Sequence, residues 1–182
     1  IVELLAEDHF LLSPSTLLGI HRHLFTDVFP EEIPVGKFRK VNITKKAPVL
    51  DGDTVQYSSH FMIQDALAYD FEREQNFSYA SLTNEQKTLH AMTFLADIWQ
   101  VHPFREGNTR TVAVFGIQYL RKLGFHIDNS LFSEHAAYFR NALVLYHYHG
   151  EKQDKQFLKM FFENLLLGKK NILSDEEMYA KK

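Results

Sequence analysis

The run Val101-His102-Pro103-Phe104-Arg105-Glu106-Gly107-Asn108-Thr109-Arg110 concentrates polar groups between two apolar-periodic stretches in a way that packing alone does not require. Pro103 ends the preceding helix at or before His102, because its ring disfavours the α conformation one residue earlier and it has no N–H. His102 thus stands at a helix exit. Its imidazole titrates near neutrality, which suits a general base taking a proton from an attacking hydroxyl. Gly107-Asn108-Thr109 come directly before a helical pattern carrying Val112, Val114, Phe115 and Ile117. Glycine and asparagine tolerate positive φ, and the first N–H groups of the helix point outward with the positive end of its dipole. That makes an anion cradle suited to phosphates. Asn108 or Thr109 also serves as a helix N-cap, which by itself is a structural role. Arg110 offers a planar fork for phosphate oxygens. Glu106 sets a carboxylate beside the cradle, where a pure anion site would not want one. Mg²⁺ resolves the conflict, since it uses one or two carboxylates together with substrate phosphates. Each residue is ordinary alone; base, cation ligand, cradle and arginine within nine residues are not.

Outward from this loop the pattern is helical. The spacing predicts helices over 84–101, with Leu89, Met92, Phe94, Leu95, Ile98, Trp99 and Val101 as one buried face, and over 109–123, closed by Gly124. Leu17, Leu18, Ile20, His21, Leu24, Phe25 and Val28 predict a helix over 14–29, opened by Ser13-Pro14 and ended by Pro30 and Pro34. Further helices are expected over 63–74, near 130–148 and over 154–167. Residues 35–46 read as extended, with Val41 and Ile43 alternating against Asn42 and Thr44. Asp51-Gly52 lies between two short β-prone runs in 48–57, the pattern of a two-stranded hairpin.

Composition narrows the class further. A chain of 182 residues with no repeat and no linker-like tract reads as one domain. The absence of cysteine removes disulfides, Cys-ligated zinc, iron–sulfur clusters and thiol nucleophiles. A net charge of −3 argues against a dedicated nucleic-acid binder. The local cluster Lys37, Arg39, Lys40, Lys45 and Lys46 reads as a solvated face. No stretch approaches the ~18 apolar residues of a membrane span, and acids occupy the N-terminus where a signal peptide carries bases, so a cytoplasmic protein is expected. The first residue is Ile1, which suggests a fragment or processed chain. His21 with His23, and His147 with His149, are poor metal pairs because i,i+2 positions on a helix diverge. Glu134-His135 lacks the second histidine of a zinc-protease helix. The aromatic residues fall mostly at helical spacing and read as core, with Tyr57 on the hairpin as the exception.

His102-Pro-Phe-Arg-Glu-Gly-Asn-Thr-Arg110 closely resembles the signature of Fic-domain proteins (Fic/Doc, the "cell filamentation protein" type), H-P-F-x-[D/E]-G-N-[G/K]-R. Leu17 to Phe25 is similar to the family's early core helix, Val35 to Ile43 to its following extended segment, Pro48 to Tyr57 to its flap, and Leu158 to Leu167 to a C-terminal helix. The resemblance covers roughly 14–168 and leaves 169–182 as a tail. It implies a mainly α, Fic-type helical bundle over 1–182, with a small β-hairpin flap beside the active-site helix–loop–helix. It also implies a bacterial protein adenylyltransferase that moves AMP from ATP to a Ser, Thr or Tyr hydroxyl of a target protein and releases pyrophosphate. In that reading His102 is the base, Phe104 anchors the loop in the core, and Glu106 holds Mg²⁺. Gly107, Asn108, Thr109 and Arg110 bind the nucleotide phosphates, and the flap residues Val55, Gln56 and Tyr57 dock the target by strand addition. Neither a nucleic-acid nor a membrane partner is implied, and secretion as an effector is the alternative to a cytoplasmic site of action.

Two features depart from the family pattern. Thr109 stands where the most familiar signature carries Gly, although Asn-Thr-Arg is itself a frequent variant. Many relatives are restrained by a helix with [S/T]-x-x-x-E-[G/N]. Here only Glu106-Gly107 and Glu163-Asn164 fit its end, and His102 and Lys159 stand where Ser or Thr is needed. Inhibition is then expected from a segment preceding Ile1 or from a small antitoxin-like partner. Two other functions stay open on the same fold: transfer of UMP, phosphate or phosphocholine, and a non-catalytic nucleotide- or partner-binding module, for which Thr109 is the hint.

Overall fold

A computed structural model describes residue 5 and residues 10–180. Among residues 10–180 the α-helices are, in chain order, α1 (Pro14–Phe25), α2 (Ile63–Gln75), α3 (Asn84–Val101), α4 (Asn108–Lys122), α5 (Ser130–Glu134), α6 (Ala136–His147), α7 (Gln156–Leu167) and α8 (Asp175–Ala180). Short 3₁₀ turns occupy Pro48–Leu50 and His60–Met62. The mainly helical fold agrees with the hydrophobic periodicity.

The differences lie where local chemistry overrides periodicity. Helix α1 stops at Phe25 rather than 29: the Thr26 N–H and hydroxyl both bond the Arg22 carbonyl, and Asp27 turns left-handed at φ 62°. The expected helix near 130–148 is split at His135, whose φ of −120° and ψ of 36° leave the helical region. Leu89, expected in the core, is 52% exposed, while Met92, Phe94, Leu95, Ile98, Trp99 and Val101 are buried. The expected hairpin over 48–57 does not form two paired strands. Pro48–Leu50 coils into a 3₁₀ turn, Asp51 (φ 55°) and Gly52 (φ 91°) reverse the chain, and one antiparallel bridge joins Lys46 to Thr54. Proline at the first position of the turn favours this tight coil, since its φ is preset and it gives no N–H to a ladder.

Two compact units interleave along the chain. The first combines the residues up to Ile43 with Ser58–Phe77 and Asp97–Ile127. In it α1 packs on α4 and α2, and Phe115 of α4 receives the rings of Phe10 at 5.3 Å and Phe71 at 5.6 Å. The second combines Thr44–Tyr57, Ser78–Ala96 and the residues from Asp128 onward. There α6 packs on α5, α7 and α8, and Phe161 meets Phe132 at 5.1 Å and Phe139 at 4.9 Å. The region after 168 contributes α8, whose Met178 is buried. All of the 101–110 loop lies in the first unit, and the segment 55–57 lies in the second.

Candidate active site

The loop between α3 and α4 is held by buried hydrogen bonds to both of its ends. Helix α3 exits at His102, which is 4% exposed and left-handed at φ 50°. For a residue with a Cβ that conformation costs of order 1 kcal/mol or more, so its surroundings must impose it. Arg39 does much of this. Its guanidinium, on a residue only 2% exposed, donates to the carbonyls of His102 at 2.8 Å, Val101 at 3.3 Å, Val41 at 2.8 Å and also Ser58. Its backbone N–H adds a bond to the Pro103 carbonyl at 2.8 Å. The cation sits against the negative end of α3, where unpaired carbonyls and the helix dipole favour it. Burial lowers its pKa from the ordinary arginine value. The sequence reading placed Arg39 on a solvated basic face; the fold buries it as the cap of the helix that presents His102.

The imidazole of His102 has Nδ1 3.1 Å from the Trp99 carbonyl. A carbonyl only accepts, so Nδ1 carries the proton in the neutral ring and Nε2 is the basic nitrogen. Trp99 meets the same ring edge-on at 5.1 Å and donates its indole N–H to Thr109 Oγ1 at 2.9 Å. Thr109 therefore ties the end of α3 to the start of α4. That engagement gives the non-Gly residue of the signature a structural occupation.

Phe104 is buried and stacks on His21, with centroids 3.8 Å apart and planes 16° from parallel. Asn108 closes the turn: its Oδ1 accepts from the Phe104 N–H at 2.9 Å and its Nδ2 donates to the Phe104 carbonyl at 2.8 Å. Its side chain is thus spent on the loop, and what it offers a ligand is backbone. His21 holds the other side. Nε2 lies 3.0 Å from the Glu106 carbonyl and must donate to it, while Nδ1 accepts from the Gly36 N–H at 2.9 Å. Burial lowers the His21 pKa, with the bond to Glu106 opposing that fall, so the ring is neutral with its proton on Nε2. Sequence reading dismissed His21 as a metal ligand but missed this supporting role. Its only sequence signal is an apolar-face position on α1.

Gly107 caps α4 at φ 78°, and a Cβ built there would lie 2.4 and 2.6 Å from Phe25 ring atoms. Only glycine fits. The next residues open α4, whose first N–H groups have no intrahelical acceptor. Arg110, exposed on that first turn, lies over the Phe25 ring at 5.1 Å. Glu106 is exposed and beside the same helix start. Among the described residues no group of three or more His, Cys, Asp or Glu is arranged to hold a metal. The fit for Mg²⁺ is therefore one carboxylate, with substrate phosphates completing the shell. His102, Phe104, Glu106, Gly107, Asn108, Thr109 and Arg110 share one helix–loop–helix of the first unit. Of the other three expected residues, in the second unit, Val55 is buried, Gln56 exposed and Tyr57 half-buried. Burial pushes the Tyr57 hydroxyl pKa up, with Arg140 pulling it down.

A buried histidine at one helix exit and a glycine-capped helix start five residues on thus lie on one continuous loop. The chain belongs to the Fic/DOC family, whose sequence model matches residues 11–120. Among curated proteins it is similar to the protein adenylyltransferase VbhT of Bartonella schoenbuchensis, 31% identical over 60% of this chain and 21% of that protein. It is also similar to the probable protein adenylyltransferase y4lH of Sinorhizobium fredii, 39% identical over 62% of this chain and 54% of that protein. The aligned region thus spans about a fifth and about half of these relatives' lengths. Among solved structures, BepC of Bartonella tribocorum, a VirB-translocated effector protein with bound AMPPNP, superposes with a TM-score of 0.69 at 21% identity, covering 90% of this chain and 79% of that one. A Fic domain from Bartonella quintana with bound ADP gives 0.65 at 23%, covering 85% and 72%. At these identities the likeness establishes the fold.

Proposed function

We propose that the chain is a protein adenylyltransferase, moving AMP from ATP to a hydroxyl of a target protein. The observation that carries this is the fixed tautomer of His102, which leaves Nε2 as the basic nitrogen on a loop that runs directly into the open N-terminus of α4. The target hydroxyl gives its proton to Nε2 as its oxygen attacks the α-phosphorus. The bond from that phosphorus to the bridging oxygen of the β-phosphate breaks, and pyrophosphate leaves with the electron pair. The first N–H groups of α4 and the Arg110 guanidinium bind the phosphates and offset their charge. Glu106 would hold Mg²⁺, which when bound neutralises phosphate charge. Phe104, Asn108 and His21 keep the loop rigid, so the base does not have to be ordered at the moment of reaction.

The naming of both curated relatives as adenylyltransferases, and the AMPPNP and ADP bound in the similar solved structures, support the same donor. The segment Val55-Gln56-Tyr57 is the proposed docking segment for the target, on the strength of the family resemblance. A small inhibitory partner belongs to the same reading. No described helix is long and apolar enough to cross a membrane. Action in the bacterial cytoplasm, or in another cell after secretion, is likewise part of the proposal. Donor choice is the open variable, and comparing ATP, UTP and CDP-choline by the mass added to acceptor proteins tests it. An AMP adduct from ATP alone supports the proposal; a UMP or phosphocholine adduct formed in preference replaces it. Chelation of Mg²⁺ with EDTA is expected to abolish the AMP adduct.

A further inference from the structure

Beside the loop lies a groove of about 400 Å³ lined by Pro34, Phe38 and Val41, with Lys37, Lys40 and Arg105 as its cations and Glu31 as its one carboxylate. We propose that it docks an acidic stretch of the target polypeptide that carries an apolar side chain among its carboxylates. The occupant's being the protein substrate rests on the adenylyl-transfer reading; the charge preference does not.

Position is the first argument. One wall of the groove, residues 37–41, is bonded to the catalytic loop through the Arg39 N–H to the Pro103 carbonyl and Arg39 Nε to the His102 carbonyl, both at 2.8 Å. Arg105 belongs to that loop itself, three residues beyond His102. The groove thus adjoins the segments that hold the backbone of His102 and Pro103 in place. Charge is the second argument. Three cations face one carboxylate, on a chain whose net charge is −3. Lys37 and Lys40 are exposed and form no ion pair among the described residues, and Arg105 makes one long bond, 3.4 Å, to the Glu32 carbonyl. They are available to incoming carboxylates. The floor is the third argument: Val41 is 48% exposed, and together with Pro34 and Phe38 it forms an apolar surface that a phosphate chain would not use. A nucleic-acid groove would instead combine a longer basic track with stacking rings, and Phe38, the groove's one ring, is half-buried.

The test uses two fluorescein-labelled peptides, each with one Thr and one Leu, flanked by a run of Glu in one and of Gln in the other. Anisotropy is read on the intact chain, on His102→Asn and on Lys37→Glu/Lys40→Glu. The Glu peptide is expected to bind about tenfold more tightly than the Gln peptide, to lose that margin in the lysine double variant and at high salt, and to keep it in His102→Asn. Equal binding of both peptides, or a margin untouched by the double variant, overturns the proposal. So does a labelled oligothymidine that binds more tightly than the Glu peptide. Anisotropy needs no turnover, so the charge preference is read whether or not the chain transfers AMP, and absence of α-phosphate label on every protein of a proteome defeats the adenylyl-transfer reading while leaving the groove standing. Unchanged ATP binding by the double variant, followed by a fluorescent ATP analogue, shows that the variant is folded.

Discussion

Gly107 and His102 stand five residues apart in the loop, both with positive φ, for different reasons. At Gly107 the limit is space. Gly107→Ala drives a methyl into the Phe25 ring and is expected to lower stability by about 2 kcal/mol or more. Thermal unfolding checks this, and enlarging the gap with Phe25→Leu should return part of the loss. At His102 the limit is conformation, because φ 50° suits asparagine better than histidine. His102→Asn should therefore fold at least as stably as the parent while losing its base. Thr109 supplies an acceptor to the Trp99 indole. Thr109→Val leaves that donor without its bond and should cost about 1 kcal/mol, whereas Thr109→Ser should be close to neutral; denaturant midpoints distinguish the two.

Helix α3 is where an element's end is set by something distant in sequence. Its last carbonyls are taken by a guanidinium more than sixty residues earlier, so the element that presents the base depends on the 35–43 segment for its cap. Arg39→Met removes the donors and leaves buried carbonyls behind. A loss of about 3 kcal/mol is expected, with activity falling further than stability at temperatures where the chain is still folded. The same case shows what is legible in a sequence. The span of α3, the proline exit and, to within a residue, the start of α4 follow from local rules, although the cap is Gly107 and not Asn108 or Thr109. The burial of Arg39, the double grip of His21 and the Thr109–Trp99 bond are long-range or cross-element matters that no local pattern encodes. The hairpin expectation failed for a local reason: Asp51-Gly52 does reverse the chain, but Pro48 coils the entering arm into a 3₁₀ turn, and one bridge remains where a ladder was expected.

For the molecule as a whole, two buried titrating groups of the first unit pull stability in opposite directions with pH. Asp70 is raised from 3.8 to about 6, chiefly by burial, with Asp97 adding to the rise and Arg73 opposing it. The folded chain holds that proton more tightly than the unfolded chain does. Stability from this group is therefore present at about pH 4 and is lost as the pH rises through about 6. Asp70→Asn should be more stable than the parent by about 2 kcal/mol above neutrality, with the difference vanishing in acid. His21 works the other way. Its lowered pKa and its neutral, two-bonded ring make the folded chain resist a proton that the unfolded chain accepts, so stability falls as the pH drops below the ordinary histidine value. Urea midpoints measured across pH for the parent and Asp70→Asn separate the two contributions.

Adenylyl transfer from His102 is tested most directly by incubating the chain, in parallel, with ATP labelled on the α-phosphate and with ATP labelled on the γ-phosphate, together with a bacterial or host-cell proteome. The parent chain should label protein from the α-phosphate alone, and His102→Asn should lower that label by about a hundredfold or more while the chain remains folded. Label arriving from the γ-phosphate, or α-label undiminished in His102→Asn, would contradict it.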